Sequence, residues 1–473
     1  MQDQTKTINY FFPTGLPAVE VWLTRSDRSA LFQKQEENRR FVDARSDAFT
    51  IQVDATQSFQ TMDGFGFALT GGSALLISRL PALIRNALLR ELFSTEGNGI
   101  GVSFLRLSIG ASDLSERSFS YDDMPEGYFD PDLVNFNIEA GDREVPPLLK
   151  EILAINPSIK IIGSPWTAPP WMKTNQSFIG GKLRTEHYRI YANYLIKYIK
   201  AMNGQGIPVH ALTIQNEPLN GENEPSMLME AWEQADFVKN HLGPSLREAG
   251  LGGIELFCWD HNCDEKEYPL AIFGDAEARQ FLAGAAWHLY AGDIDALSEV
   301  HMAYPDMKMY FTEQWVGADD PAATNGKEWL DARFKADFGW HMRNVIVGAT
   351  RNWCRAVLEW NLASDSLCGP HTPGGCPNCL GALTIGDDMT PIPNVSYYVI
   401  AHIAKFVRPG SIRIFSDDVD ILPNVAFVTP NGYIVLIVFN ASEDAQTFNI
   451  QFSGKMTQAV MDAGSVATYI WHK

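Results

Sequence analysis

The sequence predicts an α/β fold: a (β/α)8 TIM barrel with an attached β-sandwich side domain built from both chain ends. Three observations carry that prediction. Between residues 61 and 405, eight short apolar runs alternate with amphipathic, helix-like stretches, and eight such units close a parallel barrel. No glycine-rich dinucleotide fingerprint follows any of these runs, which disfavours an open doubly wound sheet. Residues 1–60 and 406–473 read instead as short alternating strands, which assigns both ends to one side domain.

The expected barrel strands are "GFGFAL" (64–69), "VSFLRLSI" (102–109), "IKIIGS" (159–164), "VHALTIQ" (209–215), "IELFCW" (254–259), "GAAWHLY" (284–290), "KMYFTE" (308–313) and "AVLEW" (356–360). Three helices are expected between them. One is "SALLISRLPALIRNALLRELF", another is "EHYRIYANYLIKYIKAM" with Thr185 as its cap, and the third is "SMLMEAWEQADFVKNHLG"; their apolar positions recur at helical spacing. In the last 64 residues, Asn431-Gly432 sits between two apolar runs and signals a tight hairpin. "PAVEVWLT" and "AFTIQVDAT" supply strand-like runs near the N-terminus.

Hydrophobic residues make up 45% and charged residues 20% of 473, the balance of a folded chain. Lys plus Arg total 37 against 57 for Asp plus Glu, a net charge of −20, which repels nucleic acid and anionic membrane. No apolar run reaches the ~20 residues of a transmembrane helix. "MQDQTKTINYFF" lacks the basic and apolar regions of a signal peptide, so the chain is either cytoplasmic or without its leader.

In a barrel of this kind chemistry sits where the strands end. Asp113 follows strand two, Trp166 strand three, Asn216 and Glu217 strand four, Tyr290 strand six, Glu313 strand seven, and Trp360-Asn361 strand eight. Two carboxylates and several aromatic rings round one mouth suit glycoside hydrolysis. Taken singly, a strand-end glutamate is more often a cap or ion-pair partner, and a tryptophan more often packing. The pairing of "QNEP" on the fourth strand with "TEQW" on the seventh favours the catalytic reading. A sugar-binding protein on an inactive barrel is the non-enzymatic alternative.

The blocks "QTMDGFGFALTGGSALLI", "FLRLSIGASDLS", "GSPWTAPPWMKTN", "LTIQNEP", "WHLYAGD", "YFTEQWVG" and "LEWNLA" resemble glycoside hydrolase family 30, the glucosylceramidase family, in order and over residues 60 to 365. The resemblance implies a retaining β-glycosidase without metal or organic cofactor, acting on a β-glucoside: an oligosaccharide, a glucan or a glycolipid. It implies Glu217 as general acid/base and Glu313 as nucleophile. Asn216 would bond the sugar's 2-hydroxyl, and Asp113, Trp166 and Trp360 would shape the pocket for the non-reducing glucose; Tyr290, near the nucleophile, and Asn361, at its strand end, are also expected against substrate. Arg106 and His288 would support them. The acid needs a raised pKa, and Glu217 has no cation beside it in sequence. Glucosylceramidase or exo-β-glucosidase, endo-β-1,6-glucanase and β-xylosidase activities all fit this pattern.

Two features depart from the family. Gly71-Gly72 replaces an Asp-Ala pair, and the cysteine-rich segment "SDSLCGPHTPGGCPNCLGALTIGD" is longer than in animal glucosylceramidases. It is expected on the leaving-group side. Cys368, His371, Cys376 and Cys379 have the composition of a zinc knuckle, but a disulfide between Cys376 and Cys379, or from either to Cys368, and unpaired thiols rank ahead of a metal. The acidic charge and large glycan substrates point to an exported enzyme, periplasmic, cell-surface or secreted, whose compartment would favour the disulfide; a cytoplasmic location is the alternative.

Overall fold

The computed structural model describes residues 18–36, 39–43, 48–317 and 327–473; the N-terminal "MQDQ" stretch lies outside them. Eight parallel strands, Gly64–Ala68, Phe104–Ile109, Lys160–Pro165, Ala211–Thr213, Glu255–Asn262, Gly284–His288, Lys308–Glu313 and Cys354–Asn361, form a closed barrel in chain order. The eighth pairs with the first at Ala356 and Gly64. Every expected barrel strand is present.

Side chains from these strands fill the barrel in layers. Phe104, Ile162, Ala211, Phe257, Ala286, Tyr310, Ala356 and Leu358 make an apolar cluster of their own. Side chains alternate along a strand, so the next inward positions are two residues on: Arg106, Ser164, Thr213, His288 and Thr312. All five are completely buried. The fifth strand breaks the count. Trp259 and Asp260 both take positive φ, 70° and 67°, and the pairing skips Asp260 between Trp259 and His261. This bulge turns Asp260, rather than Trp259, into the polar layer.

The expected helices are modified in detail. Leu80 and Pro81 split the first into Gly71–Arg79 and Ala82–Phe93, because proline cannot donate to the preceding turn. Thr185 opens a 3-10 turn, Thr185–His187, so it does not cap the helix Tyr188–Gly204. The third begins only at Ala231, where Glu230 and Glu233 form a capping box.

The side domain uses both chain ends. Ala18–Thr24 pairs with Val466–His472, and Thr50–Thr61 lies between Ile412–Ser416 and Gln446–Phe452. Val19, Val21, Ile51 and Val53 share a core with Ile434, Leu436, Phe448, Ile450, Ala459 and Met461. The outer strands of the sheet therefore fold over one another as a sandwich. The Asn431-Gly432 hairpin is present, with Gly432 at φ 80° between Asn424–Val428 and Tyr433–Phe439. Among the described residues no helix is long and apolar enough to cross a membrane.

One buried histidine joins the two units. His402, on the helix Val395–Ala404, lies 2.9 Å from the Thr468 hydroxyl and 2.8 Å from that of Thr24. Burial pushes its pKa down from 6.5 to about 3. Between those values the unfolded chain binds a proton that the folded chain refuses, so this site's contribution to stability is intact above 6.5 and is lost as pH falls. The thermal midpoint should therefore drop on acidification from about pH 7 to 5, and less so in His402→Gln. An equal drop in both proteins would contradict this role.

Candidate active site

The polar layer is organised by Arg106. Its guanidinium donates from Nη1 to Glu313 Oε2 at 2.5 Å, from Nη2 to Asp260 Oδ2 at 2.8 Å and to Asn216 Oδ1 at 2.6 Å, and from Nε to Ser164 Oγ at 3.1 Å. Its charge also lies over the rings of Trp166 (4.8 Å) and Trp360 (5.5 Å), which stack on each other at 5.4 Å. Asp260 accepts further bonds from Ser164, Thr213, Thr312 and His288. Burial would raise Asp260, but Arg106 and His288 outweigh it and hold this carboxyl well below the ordinary range.

Glu313 ends the seventh strand. It accepts from Arg106 and, at 2.9 Å, from the Tyr290 hydroxyl. Glu217 arrives differently. The fourth strand ends at Thr213, Asn216 N–H is held by Pro165 O, and Glu217 takes φ 44° with its N–H on Asp260 O at 3.0 Å. That backbone is strained for a residue with a side chain. It aims the carboxyl at His288 Nδ1 (3.2 Å) and Asn220 Nδ2 (2.9 Å). One ligand atom each of Glu217, His288 and Glu313 lies within 4.8 Å of the others, so the two carboxyls face each other at close range.

The charges depart from the sequence expectation. Glu217 was expected without a nearby cation and with a raised pKa. Burial does oppose its ionisation, but the bond from His288 and the charges of His261 (3.9 Å away) and His288 bring it down to about 2. His261 and His288 come from other strands, so nothing around "QNEP" reveals them. Burial likewise opposes charge on His288, yet Glu313, Asp260 and Glu217 push it up to about 9. Glu313 is raised, by burial first, against His288 and Arg106.

A cavity of about 960 Å³ opens at this mouth, lined by Asp113, Glu217, Tyr290, Glu313 and Trp360. Asp113 is buried with Oδ1 unpaired; burial, then the charges of Glu313 and Glu217, push it up to about 7. Trp166 and Asn216 stand behind the lining, the first stacked on Trp360 and the second fixed by Arg106 so that its amide NH2 is left to donate. Asn361, expected against substrate, is not among the residues that line the cavity. Its Oδ1 accepts from Thr70 (3.0 Å) and Ser73 (2.6 Å) at the start of the helix Gly71–Arg79. His261, Asn262, Asn220 and Trp315 also line the cavity; of these only Trp315 fell within a motif that the sequence singled out.

The cysteine-rich segment carries a Cys376–Cys379 disulfide, while Cys368 is a buried free thiol. The link to Cys368 is thus not formed. The four-donor zinc knuckle is not formed in this structure, since two of its donors, Cys376 and Cys379, are bonded to each other.

Facing carboxyls, buried donors and an aromatic wall at the mouth of a parallel barrel define the site of a glycoside hydrolase. The family model of the glycosyl hydrolase family 30 TIM-barrel domain matches residues 62–407, and that of the family 30 beta sandwich domain matches residues 410–469. The chain belongs to glycosyl hydrolase family 30. It is 34% identical over 376 residues to an endo-1,6-beta-D-glucanase of Neurospora crassa, covering 76% of this chain and 74% of the relative. It is 28% identical over 450 residues to the lysosomal acid glucosylceramidase of Mus musculus, covering 89% and 83%. The solved structure of an endo-beta1,6-glucanase superposes with a TM-score of 0.88 at 35% identity, over 96% of this chain and 99% of that one.

Arg106→Ala should leave Asp260 and Glu313 as buried charges without their cation. A loss of about 3–5 kcal/mol of stability is expected, together with near-complete loss of turnover. Arg106→Lys keeps the charge but not the fork, so it should fold better and still turn over at least roughly tenfold more slowly than wild type. Denaturant unfolding and kcat on an aryl β-glucoside check both; a fully active lysine variant would contradict the positioning role.

Proposed function

We propose that the enzyme cleaves β-1,6-linked glucan by double displacement with retention, Glu313 acting as nucleophile and Glu217 as acid/base. The observation that carries the substrate reading is the lining beyond Glu217. An acid stands beside the leaving group, and here Asn220, Glu222, Asn223 and Asn262 line the same cavity as Glu217, together with Gly374 and Gly375. Leu219, Leu228, Trp315, Trp360 and the Cys376–Cys379 disulfide are the apolar members. Such a wall suits a hydroxyl-bearing sugar better than a ceramide. The similarity to endo-1,6-β-glucanases supports the same substrate, and the glucosylceramidase similarity keeps the lipid glycoside as the second reading.

The short separation of the carboxyls fits the ~5–5.5 Å of a retaining pair rather than the ~6.5–9.5 Å of an inverting one. Glu313 attacks the anomeric carbon while a proton passes to the departing oxygen. Glu217 then takes a proton from the water that displaces Glu313. The charge field of the free site ionises Glu217, which on its own would favour exchanged roles. The direct bonds favour the assignment made here. Glu313 holds a permanent cation and a phenol, whereas Glu217 faces an imidazolium able to hand over its proton. When a sugar covers the cleft and water leaves, the buried ion pair of Glu217 and His288 becomes less favourable than the neutral pair. That shift puts the proton on Glu217 where it is needed.

Glu313→Gln should abolish turnover of every substrate. Glu217→Ala should lose roughly 10²–10⁴-fold on substrates with poor leaving groups and far less on activated aryl glycosides. Azide should restore the latter variant and yield the β-glycosyl azide; the α-azide would mean that the roles are exchanged.

A product assay on β-1,6-glucan, glucosylceramide, aryl β-glucoside and aryl β-xyloside tests the substrate. A ladder of oligomers from the glucan is expected, with little action on xyloside. Release of glucose alone would indicate exo action, and preference for glucosylceramide would overturn the glucan reading. A cleft-side disulfide also fits an exported enzyme working in an oxidising compartment.

A further inference from the structure

The segment 365–380 takes no part in these steps, yet its tip lies against the residues expected round the bound glucose. Gly374, Gly375, Cys376 and Cys379 share the cavity lining with Asp113 and Trp360. Cys376 and Cys379, joined by the disulfide, pack in one apolar cluster with Trp166, Trp315 and Trp360. Thr372 N–H donates to Asp113 O at 2.8 Å. The backbone N–H of Cys376 acts on the Asp113 carboxyl itself and favours its charged form.

The segment is seated closely on this stretch of chain. A Cβ on Gly375 would lie 2.3 Å from Asp113 O and 2.6 Å from Thr372 Oγ1. Gly72 N–H donates to Leu114 O at 2.9 Å, and a Cβ on Gly72 would lie 2.7 Å from Leu114 O and 2.9 Å from Pro370 Cγ. The Gly71-Gly72 departure thus leaves room for Pro370 beside Leu114. Glu224 anchors the segment further: its carboxylate accepts from Gly374 N–H (2.9 Å) and Ser118 Oγ (3.0 Å), and its carbonyl from Thr372 Oγ1 (2.5 Å). Asp113 Oδ1 is buried without a partner, so the carboxyl held here still has an oxygen to offer a hydroxyl group. Among the described residues no hydrogen bond joins the segment to Glu217 or Glu313.

We propose that the Cys376–Cys379 bridge is a positioning element: it closes the tip against Asp113 and holds that carboxyl where it bonds a hydroxyl of the bound glucose. The proposal rests on the reading that gives Asp113 to the glucose. Because the bridge acts through Asp113 and not on the leaving group, its loss weakens every glucoside alike. The other four cysteines are free thiols, so dithiothreitol opens this bond alone. The bond becomes two thiols and the dithiol is oxidised to its cyclic disulfide.

D-glucono-1,5-lactone carries the outer hydroxyls of a glucose ring and no leaving group, so its competitive inhibition of aryl β-glucoside hydrolysis reads the glucose side alone. In Cys376→Ser/Cys379→Ser, and in wild type treated with dithiothreitol, its Ki should rise at least roughly fivefold. kcat/KM should fall by one common factor on the aryl β-glucoside and on a β-1,6-linked oligomer, because both place the same ring there. Gly375→Ala drives the tip off Asp113 with the bridge intact; it should act the same way and keeps the test available if the serine variant folds poorly. In Asp113→Ala the Ki should already be raised, and opening the bridge should then raise it by less than about twofold. If Asp113→Ala raises the Ki but opening the bridge does not, the proposal alone is overturned. It is overturned equally by a loss confined to the oligomer, or by the full effect of the bridge persisting in Asp113→Ala. A Ki untouched by Asp113→Ala would overturn the glucose reading of Asp113 and the proposal with it.

Discussion

A guanidinium with no access to water is the constraint round which the catalytic end of this barrel is built. Placing Arg106 in the interior costs several kcal/mol, and the barrel meets that cost with anions and hydroxyls from its other strands. Asp260 and Glu313 supply the charge, Asn216 and Ser164 accept the remaining donors, and two tryptophans cover the flat faces. Each of these groups is fixed in turn by its own strand, so the geometry of both glutamates is a consequence of satisfying one buried cation.

The two glutamates differ by the route through which they reach that network. Glu313 touches Arg106 itself and is held by a permanent charge. Glu217 reaches it through its own N–H on Asp260 O and through His288, whose other nitrogen is 3.2 Å from Asp260 Oδ1. One carboxyl is therefore bonded directly to a cation that cannot lose its proton and the other to a cation that can, although that imidazolium also lies 3.9 Å from Glu313. This asymmetry separates a group that must stay ionised from one that must change state twice in each turnover. Asp113, near neutral pH in its titration, stands at the edge of the same field.

The barrel strands were legible in the sequence as short apolar runs, as in "FLRLSI" and "KMYFTE". The end of the fifth strand was not. "IELFCW" was expected to end at residue 259, because the polar run that follows reads as loop, whereas the strand continues to Asn262 through a bulge. Two left-handed residues there have no signature in a hydrophobic pattern, and Asp260, His261 and Asn262 were missed with them. Proximity of His261 to Glu217 was equally out of reach, since it depends on the pairing of the fourth and fifth strands and on the bulge that carries the fifth beyond Trp259. Asn361, a strand-end amide at the expected place, accepts from Thr70 and Ser73 at a helix start, contacts that no pattern around it announces. Cys376 and Cys379 were among three pairings that spacing left open.

The central claim is that Glu313 forms a covalent bond to the sugar and that a second displacement by water restores the original configuration. The most direct measurement is the anomeric form of the first product, followed by proton NMR on an aryl β-glucoside before mutarotation sets in. The β-anomer appearing first is the predicted result. The α-anomer appearing first would mean a single inverting displacement and would contradict the roles assigned to Glu217 and Glu313.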